Sequence, residues 1–380
     1  MAGAGGAGGV PTWVVLCALV VVQVGFGAYG IVVTKFAQKN KANPLVFSLF
    51  RDLCCFPVLM LAAFVAEKKI MLPTLREFPI FILLGFLGMF CNQLLYILGV
   101  YWAGPDIASA FQPAIPVWAA FFAILFRVEK LPSLRKLYTW AKLLGILCAA
   151  AGAIGMTVFK PVGSSSSSSG NTTESPDTVT TACAQDATKH NSHDTVIGCI
   201  MLLGNTVAMS FYVLAQKKLI FMKTEQRFSD MPVNVTAWCY FFGAVFMALA
   251  SPLAKTVQQP VCGVKSDPWH IPLEVTYPIE YAIFIASALC YLLITWSTMQ
   301  ISATLVTAFW PLQVPVAIVM AYFVLEDRLN WQQYVFCGLI ILGLLFVVLA
   351  NRVQEKSGQT KYVQLVQGNV QAPVDDSADQ

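Results

Sequence analysis

The chain has 380 residues, of which 57% are hydrophobic and only 12% are charged. Soluble domains carry about 25% charged residues, so this composition excludes a mainly soluble protein. The net charge of +4 is spread along the chain and gives no sign of nucleic-acid binding. The 11 cysteines form no CxxC or Cys/His group at metal-ligand spacing, so we expect no metal and no bound cofactor.

Ten apolar stretches follow one another, each long enough to cross a bilayer, which takes about 20 residues in a helix. The first five cover approximately residues 12–34, 44–66, 78–99, 105–126 and 137–159. The second five cover approximately residues 195–215, 233–254, 279–298, 303–325 and 332–350. The sequence therefore predicts an all-α integral membrane protein with ten transmembrane helices, the first of them retained rather than cleaved as a signal peptide.

Polar segments divide this chain into two halves. The segment 160–194 contains an unbroken run of serines, Ser164–Ser169, and several threonines, a composition that cannot bury a core. We expect it to be a flexible linker. A short N-terminus, 1–11, precedes the first half, 12–159, and a polar tail, 351–380, follows the second half, 195–350. We expect this tail to be disordered.

Positive charge predicts the orientation, because Lys and Arg are retained on the cytoplasmic side of a membrane. The loops on the side of the N-terminus hold 14 Lys and Arg, and the loops on the other side hold 8. Both termini are therefore expected in the cytoplasm. The linker then lies outside, where Asn171 is a candidate for glycosylation and Cys183 and Cys262 could either form a disulfide or stay free. A second sequon, at Asn234, begins a predicted helix and should stay unmodified.

The fourth and ninth predicted helices repeat one pattern. The fourth reads Ala-Phe-Gln-Pro-Ala-Ile-Pro from Ala110, the ninth reads Ala-Phe-Trp-Pro-Leu-Gln-Val-Pro from Ala308, and an acid, Glu129 or Glu326, follows each copy. The copies are five helices apart, so the two halves cross the membrane in opposite senses, as in the inverted repeats of secondary transporters. Proline exposes a backbone carbonyl, so these prolines indicate a central cavity, unless they only shape helix packing.

Together with residues in the other helices, these features resemble the EamA-type members of the drug/metabolite transporter superfamily, and most closely the plant nodulin-like and walls-are-thin-like transporters. The matching residues of the first half include Gln23, Gly25, Arg51, Pro57, Gly85, Asn92, Gln93, Tyr96, Gly99, Lys142, Gly145 and Gly152. Those of the second half include Gly198, Gly204, Ser210, Gln216 and Pro311–Pro315. The resemblance covers about residues 15–350 and implies two five-helix EamA repeats and an exporter or exchanger of small organic molecules.

Polar side chains in the middle of a membrane are costly, so each is a candidate for function. The candidates for substrate binding are Gln23, Arg51, Asn92, Gln93, Tyr96, Gln112, Pro113, Trp118, Asn205, Trp296, Trp310, Pro311 and Gln313. Amides together with aromatic rings suit a neutral or zwitterionic organic ligand. For Gln23 and Asn205, hydrogen bonding between helices that serves only packing is an equal alternative.

Arg51 is predicted to lie inside the hydrocarbon, where it could pair with a substrate carboxylate or extend its side chain to the interface. Asp52 is adjacent in sequence but points about 100° away around the helix, so it is not an automatic partner of Arg51. A carboxylate at this depth is a candidate for binding a proton during transport.

These features predict a secondary transporter that moves a small organic metabolite, such as an amino acid or organic acid, by alternating access, in export or exchange. A channel-like facilitator and a nucleotide-sugar or sugar-phosphate exchanger are the alternatives. An enzyme has little support, because the three histidines all fall in loops. We expect a multi-pass protein of the plasma membrane or a vacuole-like endomembrane, in contact with lipid and a small-molecule substrate but not nucleic acid. A homodimer is left open.

Overall fold

Ten helical segments account for most of the computed structural model, which describes residues 10–32, 43–103, 105–128, 137–158, 192–222, 227–255, 269, 273–325 and 331–370. The first five are α1 (Thr12–Val32), α2 (Pro44–Ala66), α3 (Phe78–Ala103), α4 (105–125) and α5 (Leu137–Val158). The second five are α6 (192–221), α7 (Pro232–Ala250), α8 (Thr276–Gln300), α9 (303–325) and α10 (Trp331–Val370). The predicted all-helical fold is confirmed.

Nine helical stretches within the described residues are long and apolar enough to cross a membrane. The exception is α4, because its helix is interrupted and the apolar stretch that remains, Gln112–Leu125, is shorter than a full span. The count of ten therefore holds for the helical segments, while α4, one of two broken helices, is shorter than a full span.

The last helix is longer than the sequence predicts. It continues through Asn351 to Val370, although residues 351–370 were expected to be a disordered tail. The segment contains no proline, and it extends a helix that already exists, so the unfavourable step of nucleation is not repeated. Pro373 follows shortly after the helix end.

The packing of the helices relates the two halves by an approximate twofold axis. Helix α1 packs against α8 and α9, and its counterpart α6 packs against α3 and α4. Similarly, α2 packs against α7 and α5 packs against α10, so each of these pairs joins equivalent helices of the two halves. The core therefore lies at the seam between the repeats, and the inverted arrangement predicted from the sequence is confirmed.

Local irregularities of the helices also occur twice. Helix α3 contains a wider π-helical segment at Gly85–Cys91, and α8 contains one at Ala282–Leu289. Helix α4 narrows to a 3₁₀ turn at Gln112–Ala114, and α9 does so at Trp310–Leu312. Such irregularities inside helices are often found at functional sites. Their repetition at equivalent positions marks the central helices of both halves.

The pair formed by α5 and α10 lies against the broken segments of α4 and α9, and the two helices of the pair pack on each other through glycine. A Cβ atom on Gly145 would lie 2.6 Å from the carbonyl oxygen of Gly343, and one on Gly343 would lie 2.6 Å from the carbonyl oxygen of Gly145. Only glycine allows two helix backbones to approach this closely. This pair therefore forms a tightly packed side of the protein.

Candidate functional site

The two broken helices meet at the seam between the halves. The 3₁₀ turn Gln112–Ala114 of α4 lies against the turn Trp310–Leu312 of α9. Pro113 and Pro311 are both buried there. Because proline has no backbone N–H, each break frees a carbonyl group that α-helical hydrogen bonding would otherwise occupy. The sequence repeat therefore brings two helix breaks together in the core of the protein.

A chain of side-chain amides runs beside these breaks and crosses four helices. The Nε2 group of Gln112 on α4 donates to Oδ1 of Asn205 on α6 over 3.0 Å. The Nδ2 group of Asn205 donates to both the backbone oxygen and Oδ1 of Asn92 on α3, each over 2.7 Å. The Nδ2 group of Asn92 then donates over 3.4 Å to the hydroxyl of Tyr291 on α8. This amide chain, Gln112–Asn205–Asn92–Tyr291, connects both halves of the protein.

Arg51 and Asp52 form a buried ion pair on α2, a pairing that their directions around the helix did not make automatic. Nε and Nη2 of Arg51 both donate to Oδ1 of Asp52, over 2.8 Å and 2.6 Å. Arg51 is 5% exposed and Asp52 is fully buried. Neighbouring positions on a helix diverge, but the long arginine side chain can fold back, and two buried opposite charges are strongly driven to neutralise each other. Arg51 therefore does not extend to the interface.

Tyrosines from three helices surround this ion pair. Tyr29 of α1, Tyr240 of α7 and Tyr291 of α8 all interact electrostatically with Arg51. The rings of Tyr240 and Tyr291 pack edge to face with their centroids 5.6 Å apart. Because the Tyr291 hydroxyl also accepts the bond from Asn92, this residue joins the ion pair to the amide chain.

Several buried polar atoms near the seam have no hydrogen-bond partner among the described residues. They include Oδ2 of Asp52, the hydroxyls of Tyr240 and Ser287, and both amide atoms of Gln23. A buried polar group left without a partner costs about 1–3 kcal/mol. Gln23 on α1 is the counterpart of Asn205 on α6, yet α9 presents Trp310 where α4 presents Gln112. The side of the seam at Gln23 and Trp310 thus has no counterpart of the amide chain. The polar groups without partners on that side are available to a ligand.

The remaining predicted residues on α3 lie close to this seam. Nε2 of Gln93 donates over 3.4 Å to Oγ of Ser48 on α2, which links the amide-bearing helix to the helix of the ion pair. Tyr96 is half-buried and packs in an apolar cluster with Leu202 of α6. Gln93 therefore contacts α2 of its own half, whereas Tyr96 lies between α3 of the first half and α6 of the second.

The predicted tryptophans occupy different surroundings. Trp310 is 4% exposed and belongs to the main hydrophobic core, and the half-buried Trp296 packs against that core. Gln313 is half-buried and begins the helix that follows the α9 break. Trp118, however, stacks on Phe122 with a centroid distance of 5.8 Å and contacts the exposed Phe121. It belongs to an aromatic cluster of α4 and not to the amide chain.

Several residues singled out in the sequence lie outside the described part of the chain, namely Glu129, Asn171, Cys183, Cys262 and Glu326. The second sequon is described. Asn234 is fully buried at the start of α7, where its side chain donates to Glu67 and to the backbone oxygen of Lys69. A buried amide bonded in this way is inaccessible to glycosylation enzymes.

Polar bonds connect helix ends at one membrane face, which we call the N-terminal face because α1 begins there. The carboxylate of Glu67, after α2, accepts the backbone N–H groups of Val233 and Asn234 in the first turn of α7. The amine of Lys217 on α6 donates to the backbone oxygens of Thr298 and Met299 at the end of α8. An acid at a helix start and a base at a helix end both favour the helix dipole. These bonds join α2 to α7 and α6 to α8 at this face.

Sequence reasoning missed the tyrosines of the site. Tyr291 and Tyr240 gave no signal by themselves, because tyrosine is common in membrane helices. The repeat does hold a signal for one of them, since Asn92 and Gln93 directly follow the π-helical segment of α3, and Cys290 and Tyr291 directly follow that of α8. Alignment of the third and eighth helices would have identified Tyr291.

Comparison with known proteins gives a consistent result. The model of the EamA-like transporter family matches residues 12–158 and 196–349. A WAT1-related protein of Arabidopsis thaliana is 26% identical over 89% of this chain and 82% of its own length. The protein WALLS ARE THIN 1 of the same plant is 26% identical over 93% of this chain and 86% of its own length. An auxin-induced protein of Pinus taeda is 25% identical over 89% of this chain and 79% of its own length.

A solved crystal structure of a protein superimposes with a TM-score of 0.60, covering 90% of this chain and 98% of that chain. The two sequences are 16% identical, so this likeness concerns the fold alone.

Proposed function

Because the chain belongs to the EamA-like transporter family, we propose that it is a secondary transporter that carries a small organic metabolite across a membrane by alternating access. Transport takes the form of export or exchange. The observation that supports this most is the amide chain, which crosses four helices of both halves beside two helix breaks. Polar groups at a seam between inverted repeats are the usual location of a transporter's substrate site.

The substrate in this proposal binds between the amide chain and the broken segment of α9. Gln112, Asn205 and Asn92 supply donors and acceptors that can exchange their mutual bonds for bonds to a ligand. The buried Trp310 supplies an apolar surface, and the unsatisfied amide of Gln23 supplies a further polar contact. This combination suits an organic molecule with a polar end and an apolar body.

Burial along the seam supports alternation between two open states. Toward the N-terminal face, Thr295, Ser297 and Thr298 of α8 are all fully buried. Toward the other face, Asn92 and Gln112 remain partly exposed. The structure fits a state closed at the N-terminal face, from which opening of the bonds at Glu67 and Lys217 would give the opposite state.

The test is uptake of labelled compounds into proteoliposomes that contain the purified full-length protein. The panel comprises amino acids, aromatic and aliphatic organic acids, nucleobases and sugars, with and without a proton gradient. We expect at least one class to show saturable uptake and exchange. Q112A and W310A should reduce uptake at least tenfold, about the effect of losing one buried hydrogen bond or a core aromatic contact.

Matched controls separate site effects from loss of folding. Q332A changes a glutamine at the start of α10, outside the amide chain. W13A removes a tryptophan that is 62% exposed. Both should transport like the wild type. Wild-type rates in Q112A and W310A would disprove the site, and unitary currents without saturation would favour a channel.

A further inference from the structure

The ion pair between Arg51 and Asp52 leaves half of the carboxylate unused. Both hydrogen bonds from Arg51 end on Oδ1 of Asp52, while Oδ2 is buried without a partner among the described residues. Arginine and carboxylate usually form two parallel bonds, one to each oxygen. The guanidinium and the carboxylate are therefore held in contact without the geometry that would make the pair most stable.

Neutrality explains why both charges are kept at this depth. An isolated charge inside a membrane protein is very costly, and a pair with zero net charge avoids most of that cost. A ligand with a carboxylate can bind Arg51 at the same cost only if the charge of Asp52 disappears. Protonation of Asp52 does this, because Arg51 with a ligand carboxylate and a neutral Asp52 again sums to zero.

We propose that the Arg51–Asp52 pair is a proton-operated switch, in which a substrate carboxylate replaces the carboxylate of Asp52 on the Arg51 guanidinium. This inference rests on the proposed transport function and adds to it the substrate class, a carboxylate-bearing organic molecule, and the coupling ion, a proton. The proton adds to Asp52 as its hydrogen bonds to Arg51 break. The substrate carboxylate forms bonds to Arg51 in their place, and no covalent bond of the substrate changes.

The groups that face the pair support this exchange and do not compete with it. On its own helix Cys55 faces the pair, and Ser48 lies one turn away, bonded to Gln93 of α3. The groups on other adjacent helices are Tyr29 of α1, Tyr240 of α7 and Tyr291 of α8. None of these groups carries a second negative charge at neutral pH. Asp52 is thus the carboxylate facing Arg51 among the described residues, and its protonation leaves the cation without a counter-ion.

Tyr291 gives this switch a route to the substrate. It interacts electrostatically with Arg51 and its hydroxyl accepts a hydrogen bond from Asn92, so a ligand held by the amide chain can extend its charged end toward the ion pair. The hydroxyl of Tyr240, which interacts electrostatically with both Arg51 and Asp52, has no hydrogen-bond partner among the described residues and is a further donor beside the pair. One protein site can therefore bind a substrate and a proton together, which couples their movement.

The test compares matched carboxylate and amide compounds in proteoliposomes. The probes are phenylacetate with phenylacetamide, and L-phenylalanine with L-phenylalaninamide, together with a nucleobase and a sugar. Protein-free liposomes give the passive permeation of each compound. We expect saturable uptake of carboxylates and none of the matched amides, accompanied by entry of about one proton per carboxylate as measured with a trapped pH dye.

The variants separate the switch from a merely structural ion pair. Wild-type uptake should fall about tenfold as the pH on the loading side rises from about 5.5 to about 8, because Asp52 then stays ionised and occupies Arg51. D52N cannot ionise, so its uptake should vary less than about twofold over that range and should no longer be accompanied by protons. R51Q should lose carboxylate uptake, and R51K should keep a reduced rate because lysine keeps the charge.

Folding is controlled with the double variant R51Q/D52N, which leaves no unpaired charge and two side chains of similar size. It should stay monodisperse and keep the melting temperature within a few degrees, while carboxylate uptake is lost. Unchanged pH dependence and proton entry in D52N would overturn the switch. Saturable uptake of the nucleobase or sugar alone would overturn the carboxylate class but leave transport intact, whereas no saturable uptake across the whole panel would overturn the proposed function itself.

Discussion

Tyr291 is the residue at which the ion pair and the amide chain meet. Its ring packs against Tyr240 and against Phe26, at centroid distances of 5.6 Å and 5.9 Å, so the ring is fixed by contacts that do not involve the hydroxyl. The hydroxyl alone carries the polar connection, since it accepts the bond from Asn92. Packing and function can therefore be separated at this one side chain.

We predict that Y291F lowers transport by about tenfold with little change in stability. The ring contacts remain, but Asn92 loses an acceptor, and one lost buried hydrogen bond corresponds to about 1–2 kcal/mol. The measurements are initial uptake rate and melting temperature in detergent. Y101F, which removes the hydroxyl of a half-buried tyrosine at the far end of α3, should leave both unchanged. Equal rates in Y291F and the wild type would show that the two polar systems act independently.

Gly88 is required by the packing of α3 on α6. A Cβ atom at this position would lie 2.3 Å from Cδ2 of Tyr212, a fully buried side chain that has no room to move. Gly338 on α10 is the matched case, because nothing lies within 4 Å of its Cβ position. The same substitution thus meets a crowded site in one helix and an open one in another.

We predict that G88A destabilises the protein by about 1–3 kcal/mol, the usual effect of overpacking a core. G338A should be neutral or stabilising by up to about 1 kcal/mol, since alanine is the better helix former. Melting temperatures of the two variants in the same detergent test this. A G88A protein as stable as G338A would contradict the close contact with Tyr212.

Among the features of individual helices, the sequence indicates the breaks in α4 and α9 most clearly. Pro113 and Pro311 each lie within a 3₁₀ turn, and the two turns touch. Pro57 of α2 lies inside a helix that shows no such turn, and it faces outward. Proline alone therefore does not produce the break, and its position at the seam matters.

We predict that P113A and P311A reduce transport at least tenfold while leaving stability equal or higher. Alanine can restore the missing backbone hydrogen bond and straighten the helix, which removes the exposed carbonyl and the flexible point between its two parts. P57A is the control and should transport like the wild type. Undiminished uptake in both P113A and P311A would show that these prolines serve only helix packing.

Hydrophobicity and the internal repeat predict most of this fold. Ten apolar stretches gave the helices, and the repeated proline pattern gave the inverted halves, both confirmed here. The sequence left the pairing of Asp52 with Arg51 open because helix geometry separates neighbouring residues, while the reach of arginine and the cost of buried charge decide the actual contact. The helical extension to Val370 was missed because a polar composition does not by itself prevent a helix from continuing.

Among the described residues of the seam, those toward the N-terminal face are more deeply buried than those toward the other face. Ser297, close to that face on α8, is fully buried, and the backbone oxygen of the next residue, Thr298, accepts a bond from Lys217. Gln93, further from that face on α3, is partly exposed. An alternating-access protein with this structure should admit water from the second face in its resting state.

We predict that a cysteine at position 93 reacts with a membrane-impermeant thiol reagent and that one at position 297 does not. The variants Q93C and S297C are made in a protein whose native cysteines are replaced by serine or alanine. Adding E67Q and K217M to S297C weakens the hydrogen bonds of Glu67 to α7 and removes those of Lys217 to α8, so position 297 should become reactive from that face at least several-fold faster. Replacing the exposed Glu280 by glutamine and Lys69 by methionine instead should leave it unreactive. Equal protection of position 297 with and without these bonds would mean that hydrophobic packing, and not the bonds between helix ends, keeps this face closed.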